Sequence, residues 1–454
     1  MITPAADPSG RGGPLGPVSR RRFGTLVIGG LGAGLVSACA GSDTADRNTE
    51  VKAPPSSGPI TATITWWHGQ SADAAELLGT LAREYEAAHP GVTIEDAAGA
   101  STTDDLLQKL QAGFASDTYP DVCYSYGSWV TTLGLSGRTL DISSLVAAAD
   151  SGWTEFPEGA RATATVGGEV VGFPAVLGDL ALYYNKDLFD AAGVGYPTDE
   201  WTWDDFRAAA IAITDPSRNI YGTAYPVPGN EDTTWRFWPQ LWQNGGQILD
   251  DAGQPAFNSQ AGADALEFWR ALAIDDQAVY LDQNGEKYAP SFQSGNIGMI
   301  ISGPWYLYDF KRAKTPYGVS ILPGTNGDHQ TIAGVDIWTL FDRGDADQAS
   351  VAYDFTRWLT APEQDVRWNV AYGNLPLRAS AADTPEFAQY IQDYPGADVF
   401  FDNLQNAVNP RPTVKGYEKM SAFVGKAISE VLQGKGDPQS ALDRAAEQSA
   451  PALT

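Results

Sequence analysis

The chain has 454 residues, of which 43% are hydrophobic and 19% are charged, a balance typical of globular proteins and a length suited to two domains. Its formal net charge of −27 excludes nucleic acid as a partner on electrostatic grounds, because a polyanionic surface repels the phosphate backbone. The cysteines, Cys39 and Cys123, are too few for a disulfide framework.

The first residues have the features of an export signal. Residues 19–23 read Ser-Arg-Arg-Arg-Phe, which matches the twin-arginine pattern, and an uncharged, glycine-rich run follows. That run ends in Val-Ser-Ala before Cys39, as in a bacterial lipobox. We therefore predict a twin-arginine lipoprotein signal peptide over residues 1–38 and lipidation of Cys39, which would anchor the exported protein to the outer face of the cytoplasmic membrane. Residues 39–59, rich in Ser, Asp, Pro and Gly, are expected to form a flexible tether.

Strands and helices are expected to alternate through the folded body. Strands are predicted at Ile60–Trp67, Val92–Glu95, Asp121–Tyr126, Val170–Pro174 and Ile297–Ile301. Helices are predicted after Ser71, over Asp104–Phe114, from Trp203 through Ile213, over Gly262–Leu272 and through most of Lys419–Glu447. The alternation predicts an α/β class with parallel sheets covered by helices.

Two pairs of residues have the spacing of a helix-capping box. Thr202 with Asp205 is expected to begin the helix that ends near Ile213, and Thr360 with Glu363 resembles a second box. Cys123, in the third predicted strand, is expected to be a small buried apolar residue.

Several short segments follow one another in the order and spacing of one protein family. They are Ile64–Gly69, Tyr119–Val122, Gly172–Pro174, Ala181–Phe189, Trp201–Phe206, Gly303–Trp305 and Asn374–Arg378. On these segments, the chain from about Ile60 to about Ala446 resembles the solute-binding proteins of ABC importers, family 1, the maltose and multiple-sugar type. The stretch Tyr-Asn-Lys-Asp-Leu-Phe, which ends at Phe189, is the most specific of them.

The resemblance implies a two-lobe, periplasmic-binding-protein-like (type II) fold, with a ligand cleft and a hinge between the lobes. By analogy, the N-lobe comprises residues 60–172 plus 333–373, and the C-lobe comprises residues 173–332 plus 374–454. Crossings between the lobes are expected near Gly172–Pro174, Thr331–Gly334 and Gly373–Pro376.

The resemblance also implies a function in transport. The protein would bind a mono- or oligosaccharide and deliver it to permease subunits that work with a cytoplasmic ATPase. It would act as a monomer, contact the membrane through its lipid anchor only, and need no cofactor, metal or catalytic residue.

The candidate site residues suit the chemistry of a sugar, which offers hydroxyl groups and two weakly apolar faces. By analogy with the family, Trp305 and Trp235 are expected to stack on the sugar and Asp179 to accept a hydroxyl group. The next candidates lie at strand ends, beside an expected crossing or close to Trp235 in sequence: His68, Gln70, Tyr126, Ser128, Trp238, Asp336 and Trp338. The last candidate is Arg411, between two prolines, whose guanidinium could reach hydroxyl groups or an anionic group.

Three other functions remain open at this point. A secreted glycoside hydrolase would need two carboxylates in a cleft, although the sequence has no recognised hydrolytic motif and its three histidines are too far apart to indicate a metal site. The same fold could bind a glycerol phosphodiester through Arg378 or Arg411. A cell-surface adhesion module would show no closure on a small molecule.

Overall fold

The computed structural model describes residues 49–53, 60–70, 72–97, 103–149, 151–370 and 373–453. The predicted signal peptide, Cys39 and most of the predicted tether lie outside these residues. The strands are β1 (Ala62–Trp67), β2 (Val92–Ala97), β3 (Val122–Ser125), β4 (Thr165–Val166), β5 (Glu169–Val170), β6 (Gly172–Asp179), β7 (Ala181–Asn185), β8 (Tyr221–Pro226), β9 (Val279–Asp282), β10 (Ile297–Ser302), β11 (Tyr317–Ser320) and β12 (Ala333–Leu340).

Helices cover the sheets and form most of the C-terminal part. They are α1 (Ala72–Ala88), α2 (Thr103–Ser116), α3 (Gly127–Gly134), α4 (Ser143–Val146), α5 (Glu158–Thr163), α6 (Lys186–Ala192), α7 (Trp203–Ile213), α8 (Glu231–Trp235), α9 (Trp238–Gln243), α10 (Gln260–Arg270), α11 (Tyr288–Gln293), α12 (Leu307–Ala313), α13 (Ala346–Leu359), α14 (Pro362–Trp368), α15 (Pro385–Asp393), α16 (Ala397–Asn403), α17 (Tyr417–Leu432) and α18 (Pro438–Leu453). Among the described residues, none of the helices has both the length and the apolar character needed to cross a bilayer.

Two five-stranded sheets organise the body. The first has the strand order β2-β1-β3-β12-β6, and β12 runs antiparallel to both of its neighbours while β1 pairs in parallel with β2 and β3. The second has the order β11-β7-β10-β8-β9, and β7 is its reversed strand. In each sheet the reversed strand is the one that arrives from the other sheet, since β7 follows β6 and β12 follows β11. The predicted α/β class with mainly parallel strands is confirmed.

The backbone carbonyl of Leu180 lies where the chain passes from the first sheet to the second, between β6 and β7. It accepts hydrogen bonds from Thr331 Oγ1 at 2.6 Å and from Asn403 Nδ2 at 3.1 Å. Thr331 lies just before β12, where the chain returns to the first sheet, and Asn403 is the last residue of α16. Three segments that are distant in sequence are therefore joined at one buried carbonyl group.

The first expected crossing is wrong in its position. Gly172 and Pro174 are paired with β12 inside β6, so the predicted lobe boundary at residue 172 falls within a strand of the first sheet. The chain leaves the first sheet at Leu180, between β6 and β7. The expected crossing at Thr331–Gly334 coincides with the return of the chain into β12. The other lobe boundaries stay a prediction.

Local signals had mixed outcomes. The capping box at Thr202 is confirmed. The Asp205 backbone N–H donates to the Thr202 hydroxyl, and the Thr202 backbone N–H donates to the Asp205 carboxylate. The box at Thr360 is wrong, because α14 begins after Ala361, with Pro362 as its first residue. Cys123 is fully buried in β3, as predicted.

A buried carboxyl group, Asp365 in α14, lies against the first sheet. Its Oδ2 accepts from the Leu377 backbone N–H at 2.8 Å, and its Oδ1 accepts from Asn369 Nδ2 at 2.6 Å. Asn369 also donates to the carbonyl of Ala175 in β6, at 3.0 Å. Although these hydrogen bonds favour the carboxylate, burial is the larger effect and raises the pKa of Asp365 to about 7. The folded state therefore favours the protonated form up to neutral pH.

We expect Asp365 to make the protein less stable as the pH rises from about 4 to about 8. Over this range the folded state keeps a proton on Asp365 that the unfolded chain has lost, so the stability present at low pH is lost as the pH passes the folded-state pKa. In Asp365→Asn this share of the pH dependence, on the order of 3 kcal/mol, should disappear.

Urea unfolding at pH 5 and pH 8 measures this effect as the difference between the two free energies of unfolding. The exposed Asp199→Asn variant is the control and should keep the wild-type difference. An unchanged difference in Asp365→Asn would contradict the assignment.

Candidate functional site

A cleft of about 480 Å³ lies between α3, α5, β12 and the loop that joins α16 to α17. The residues that line it are Gly127, Glu158, Gly159, Ala162, Thr163, Ala333, Val335, Ala407, Val408, Pro410, Arg411, Pro412 and Thr413. The two prolines restrict the backbone of the loop on both sides of Arg411. Of the residues predicted for the site, Arg411 is the one that lines this cleft directly.

Arg411 contacts two residues of α8 and approaches the start of α3. Its Nε lies 3.0 Å from Oε1 of Glu231, the first residue of α8, and its guanidinium carbon lies 4.8 Å from the centre of the Trp235 ring. Its Nη1 also approaches Gly127 at the start of α3, within 3.1 Å of where a β-carbon would stand there. The side chain is only 12% exposed, so its charge acts in a largely desolvated setting.

Two tryptophans predicted to contact ligand lie together next to Arg411. Trp235 and Trp305 are stacked, with ring centroids 5.8 Å apart and planes 20° from parallel. Trp235 is 8% exposed, while Trp305, which follows β10, is half-buried. The structure thus brings Trp235, Trp305 and Arg411 into one cluster.

Gly334 allows the close approach of Trp235 to the first sheet. A β-carbon at this position of β12 would lie 2.9 Å from two atoms of the Trp235 ring. That distance is well inside van der Waals contact. The position therefore requires glycine while Trp235 keeps its place.

Asp336, also on β12, is held by groups of the first sheet. Its Oδ2 accepts from the Tyr124 hydroxyl at 2.6 Å, and its Oδ1 accepts from the Gly127 backbone N–H at 3.1 Å. Burial raises the pKa of Asp336, and the Tyr124 hydrogen bond and the Arg411 charge oppose that rise. The Gln70 side chain is close enough to the Tyr124 hydroxyl to lower its pKa and so lies beside the same polar network.

His68 lies beside this network as a structural residue. It is 1% exposed, its Nδ1 accepts from the Gln70 backbone N–H at 3.1 Å, and it packs edge-on against Trp66. Burial lowers the pKa of His68, so the neutral ring is favoured. Tyr126 is half-buried and packs against Trp129, and Ser128 is 7% exposed in the first turn of α3.

The structure places three predicted site residues in the core. Trp238 is fully buried, and its Nε1 donates to the Tyr417 hydroxyl at 3.0 Å. Trp338 is fully buried between Trp66 and Tyr124. Both correct the expectation that these rings face ligand.

Asp179 is the third of them, at the end of β6. It is fully buried and accepts a hydrogen bond from Asn403 Nδ2, and burial raises its pKa well above the usual range. It belongs to the junction at Leu180 and does not line the cleft. Arg378, considered above for an anionic ligand, is a structural residue that donates to the carbonyls of Thr360 and Gly152.

Residues that the sequence analysis missed complete the cluster. Tyr124 and the Gly127 N–H hold Asp336, and Glu231 holds Arg411. The one available signal for Glu231 was its position just after Asn230, which caps α8, and that signal indicates a helix start rather than a ligand site. In the described part of the chain, no group of three or more His, Cys, Asp or Glu side chains is arranged to hold a metal ion.

This chain is similar in sequence and in fold to known proteins. The model of the family "bacterial extracellular solute-binding protein" matches residues 80–396. A lipoprotein of Streptomyces antibioticus, encoded in the oleD 5′ region, is 27% identical over 378 residues, which cover 80% of this chain and 80% of the relative.

Two solved structures superpose on nearly the whole folded body. The cyclic α-maltosyl-1,6-maltose binding protein of Arthrobacter globiformis is 26% identical, with a TM-score of 0.72 over 87% of this chain and 99% of that protein. UgpB of Mycobacterium tuberculosis, in complex with glycerophosphocholine, has a TM-score of 0.76 at 19% identity over 87% of this chain and 98% of that protein.

We expect Gly334→Ala to displace Trp235. The added methyl group overlaps the indole ring, and overpacking of this kind costs about 1–3 kcal/mol of stability. Thermal unfolding should show the loss, and the near-ultraviolet circular dichroism of the tryptophans should change.

Gly195→Ala is the matched control, because a β-carbon there would meet no atom within 4 Å. If the two variants have the same stability and the same spectrum, Trp235 does not pack against Gly334 as described.

Proposed function

The chain belongs to the family of bacterial extracellular solute-binding proteins, and on this basis we propose that it is the substrate-binding component of an ABC importer that binds a carbohydrate. The resemblance found in the sequence is confirmed, and the fold is the two-lobe, type II periplasmic-binding-protein fold. The proposed ligand is a mono- or oligosaccharide, held in the cleft that Arg411 lines.

The stacked pair of Trp235 and Trp305 carries this proposal. An indole ring offers the flat apolar surface that the faces of a sugar ring contact, and the half-buried Trp305 keeps part of its surface exposed. The rings are 5.8 Å apart, whereas a third ring between them would need roughly 7 Å. In this conformation the sugar therefore stacks on an outer face of the pair.

Polar groups next to the tryptophans suit the hydroxyl groups of a sugar. The guanidinium of Arg411 is a donor, the Asp336 carboxylate is an acceptor, and the Gln70 amide can do both. Charged groups that are already held by neighbours are well ordered before ligand arrives, which limits the entropy lost on binding. The relative from Arthrobacter, named for a cyclic maltosyl-maltose, supports this choice of ligand class.

A glycerol phosphodiester is the weaker alternative. The UgpB structure shows that a protein of this fold binds glycerophosphocholine, but at 19% identity the likeness concerns the fold alone. Arg411, the cation that lines the cleft, is already paired with Glu231 at 3.0 Å. A phosphate group would have to compete with that carboxylate, so the local charge favours a neutral ligand.

Export, anchoring and partners complete the proposal. The likeness to a lipoprotein of Streptomyces antibioticus supports lipidation of Cys39. We propose that the protein is held at the outer face of the cytoplasmic membrane by this lipid alone. As a monomer it would present its ligand to permease subunits that work with a cytoplasmic ATPase. It would act by binding, without turnover of the sugar.

Trp305→Ala should weaken sugar binding at least ten-fold, which corresponds to about 1.4 kcal/mol, because the stacking surface is lost. A panel of mono-, di- and oligosaccharides with glycerophosphocholine identifies the ligand by a raised melting temperature. Titration calorimetry then gives the dissociation constant for the wild type and the variant. A chromogenic glycoside in the same panel reports any hydrolysis.

Trp358→Ala is the control for loss of an indole ring that is not part of the cluster of Trp235, Trp305 and Arg411. Trp358 is half-buried against Tyr85 and Phe355, so the variant should lose stability and keep its affinity. Equal affinity in Trp305→Ala and the wild type would contradict the proposed site. Stabilisation by glycerophosphocholine alone would replace the sugar with the phosphodiester.

Cys39→Ser should move the protein from the membrane fraction to the soluble fraction of its native host. The serine hydroxyl cannot form the thioether on which the diacylglycerol is carried. Cell fractionation followed by mass spectrometry of the N-terminal peptide measures the change.

Cys123→Ser is a matched control, since this thiol is fully buried in β3 and cannot receive a lipid in the folded protein. It should stay in the membrane fraction. A Cys39→Ser protein that also stays there would rule out anchoring through this cysteine.

A further inference from the structure

Glu231 holds the guanidinium group of Arg411 from behind the cleft. The two side chains form an ion pair of 3.0 Å between Arg411 Nε and Glu231 Oε1, with 12% and 27% of the side chains exposed. Glu231 does not line the cleft itself. It acts on any ligand through Arg411.

The position of the Glu231 carboxylate is fixed by α17. The Tyr417 hydroxyl donates to its Oε1 at 3.3 Å, and the Ser421 hydroxyl donates to its Oε2. The two helices are also tied by a hydrogen bond from Thr234 Oγ1 to the Ser421 carbonyl at 2.7 Å. The carboxylate therefore cannot swing away from Arg411 without breaking contacts between α8 and α17.

The charge around the cleft is acidic once Glu231 is counted. Among the described residues that line it, the charged side chains are Arg411 and Glu158. Asp336 lies close enough for the Arg411 charge to act on its pKa. The Arg411 charge is therefore balanced by carboxylates before any ligand enters.

An anionic ligand would face a specific cost at this site. If a phosphate took the guanidinium from Glu231, the carboxylate would keep its hydrogen bonds from the Tyr417 and Ser421 hydroxyl groups but lose its opposite charge. A partly buried charge without a counter-charge is unfavourable. A neutral hydroxyl group can accept from Arg411 without displacing Glu231, because a guanidinium has five donor hydrogens.

We propose that Glu231 determines the charge selectivity of the cleft: by neutralising Arg411 it admits uncharged polyols and rejects phosphorylated ones. This inference rests on the proposed function for the identity of the neutral ligand, although the exclusion of anions can be tested separately. Glu231 is a positioning and charge-balancing residue, and Arg411 is the group that contacts ligand.

The test compares the selectivity of the wild type with that of Glu231→Gln, which keeps the shape of the side chain and removes its charge. The probes are sn-glycerol 3-phosphate and the neutral sugar that raises the melting temperature of the wild type most. The ratio of the two affinities should move at least ten-fold toward the phosphate in Glu231→Gln. The gain in phosphate affinity should become smaller as salt is added, because it depends on the unbalanced charge of Arg411, which salt screens.

Three further variants separate charge from structure. Glu231→Asp keeps the charge and should keep the wild-type selectivity more closely than Glu231→Gln does. Glu231→Met should gain phosphate affinity as Glu231→Gln does. It replaces Glu231→Gln in the test if the glutamine amide impairs folding, because a methionine side chain needs no hydrogen bonds. Glu155→Gln removes the partner of a different arginine, Arg378, at 3.7 Å, and should leave the selectivity unchanged.

Each outcome decides a separate point. A wild-type protein that binds sn-glycerol 3-phosphate more tightly than any neutral sugar overturns both this inference and the proposed ligand. Folded Glu231→Gln and Glu231→Met proteins with wild-type selectivity overturn the inference and leave sugar binding intact. A wild type that binds no sugar, with variants that gain phosphate affinity, supports the inference and removes the proposed sugar.

Discussion

The hydrogen bonds to the Leu180 carbonyl determine how the two sheets are joined, and the cleft depends on that junction. Thr331 and Asn403 donate to the same oxygen from two other parts of the chain, at 2.6 Å and 3.1 Å. The segment that follows Thr331 becomes β12, which carries Asp336, and the segment that follows Asn403 carries Arg411. A buried carbonyl without these donors would be costly, so the junction also specifies the path of all three segments.

Charge balance is the second constraint on the site. Arg411 is 12% exposed, and a cation at that depth requires a carboxylate partner to offset the loss of hydration. Glu231, in α8, provides this carboxylate. Asp336, on β12, is a second carboxylate nearby and accepts hydrogen bonds from the Tyr124 hydroxyl and the Gly127 backbone N–H. The same arrangement joins α8, α17 and β12 around the cleft and sets the sign of the potential that a ligand meets. Selectivity and packing are therefore produced by one set of contacts.

Local structure was predictable where a few neighbouring residues decide it. The capping box of Thr202 and Asp205 formed as expected, since both hydrogen bonds lie within one helical turn. The similar pair at Thr360 failed, because Pro362 fixes the first helical position and the residue before a proline takes an extended conformation, which makes Ala361 the cap. The first crossing was expected near Gly172–Pro174 and lies at Leu180, because a continuous apolar run does not indicate where a strand leaves its sheet.

The sequence by itself determined the α/β class, most of the strands and helices, the family and a set of aromatic and polar candidates for the site. Tertiary structure alone decided which candidates meet. Trp235 and Trp238 are three residues apart, yet Trp235 stacks on Trp305 beside the cleft while Trp238 donates to Tyr417 in the core. Glu231 and Tyr124 were missed because their partners, Arg411 and Asp336, are distant in sequence. Secondary structure follows from short-range sterics and hydrogen bonds that the local sequence records, whereas a binding site depends on long-range contacts that only the packed chain brings together.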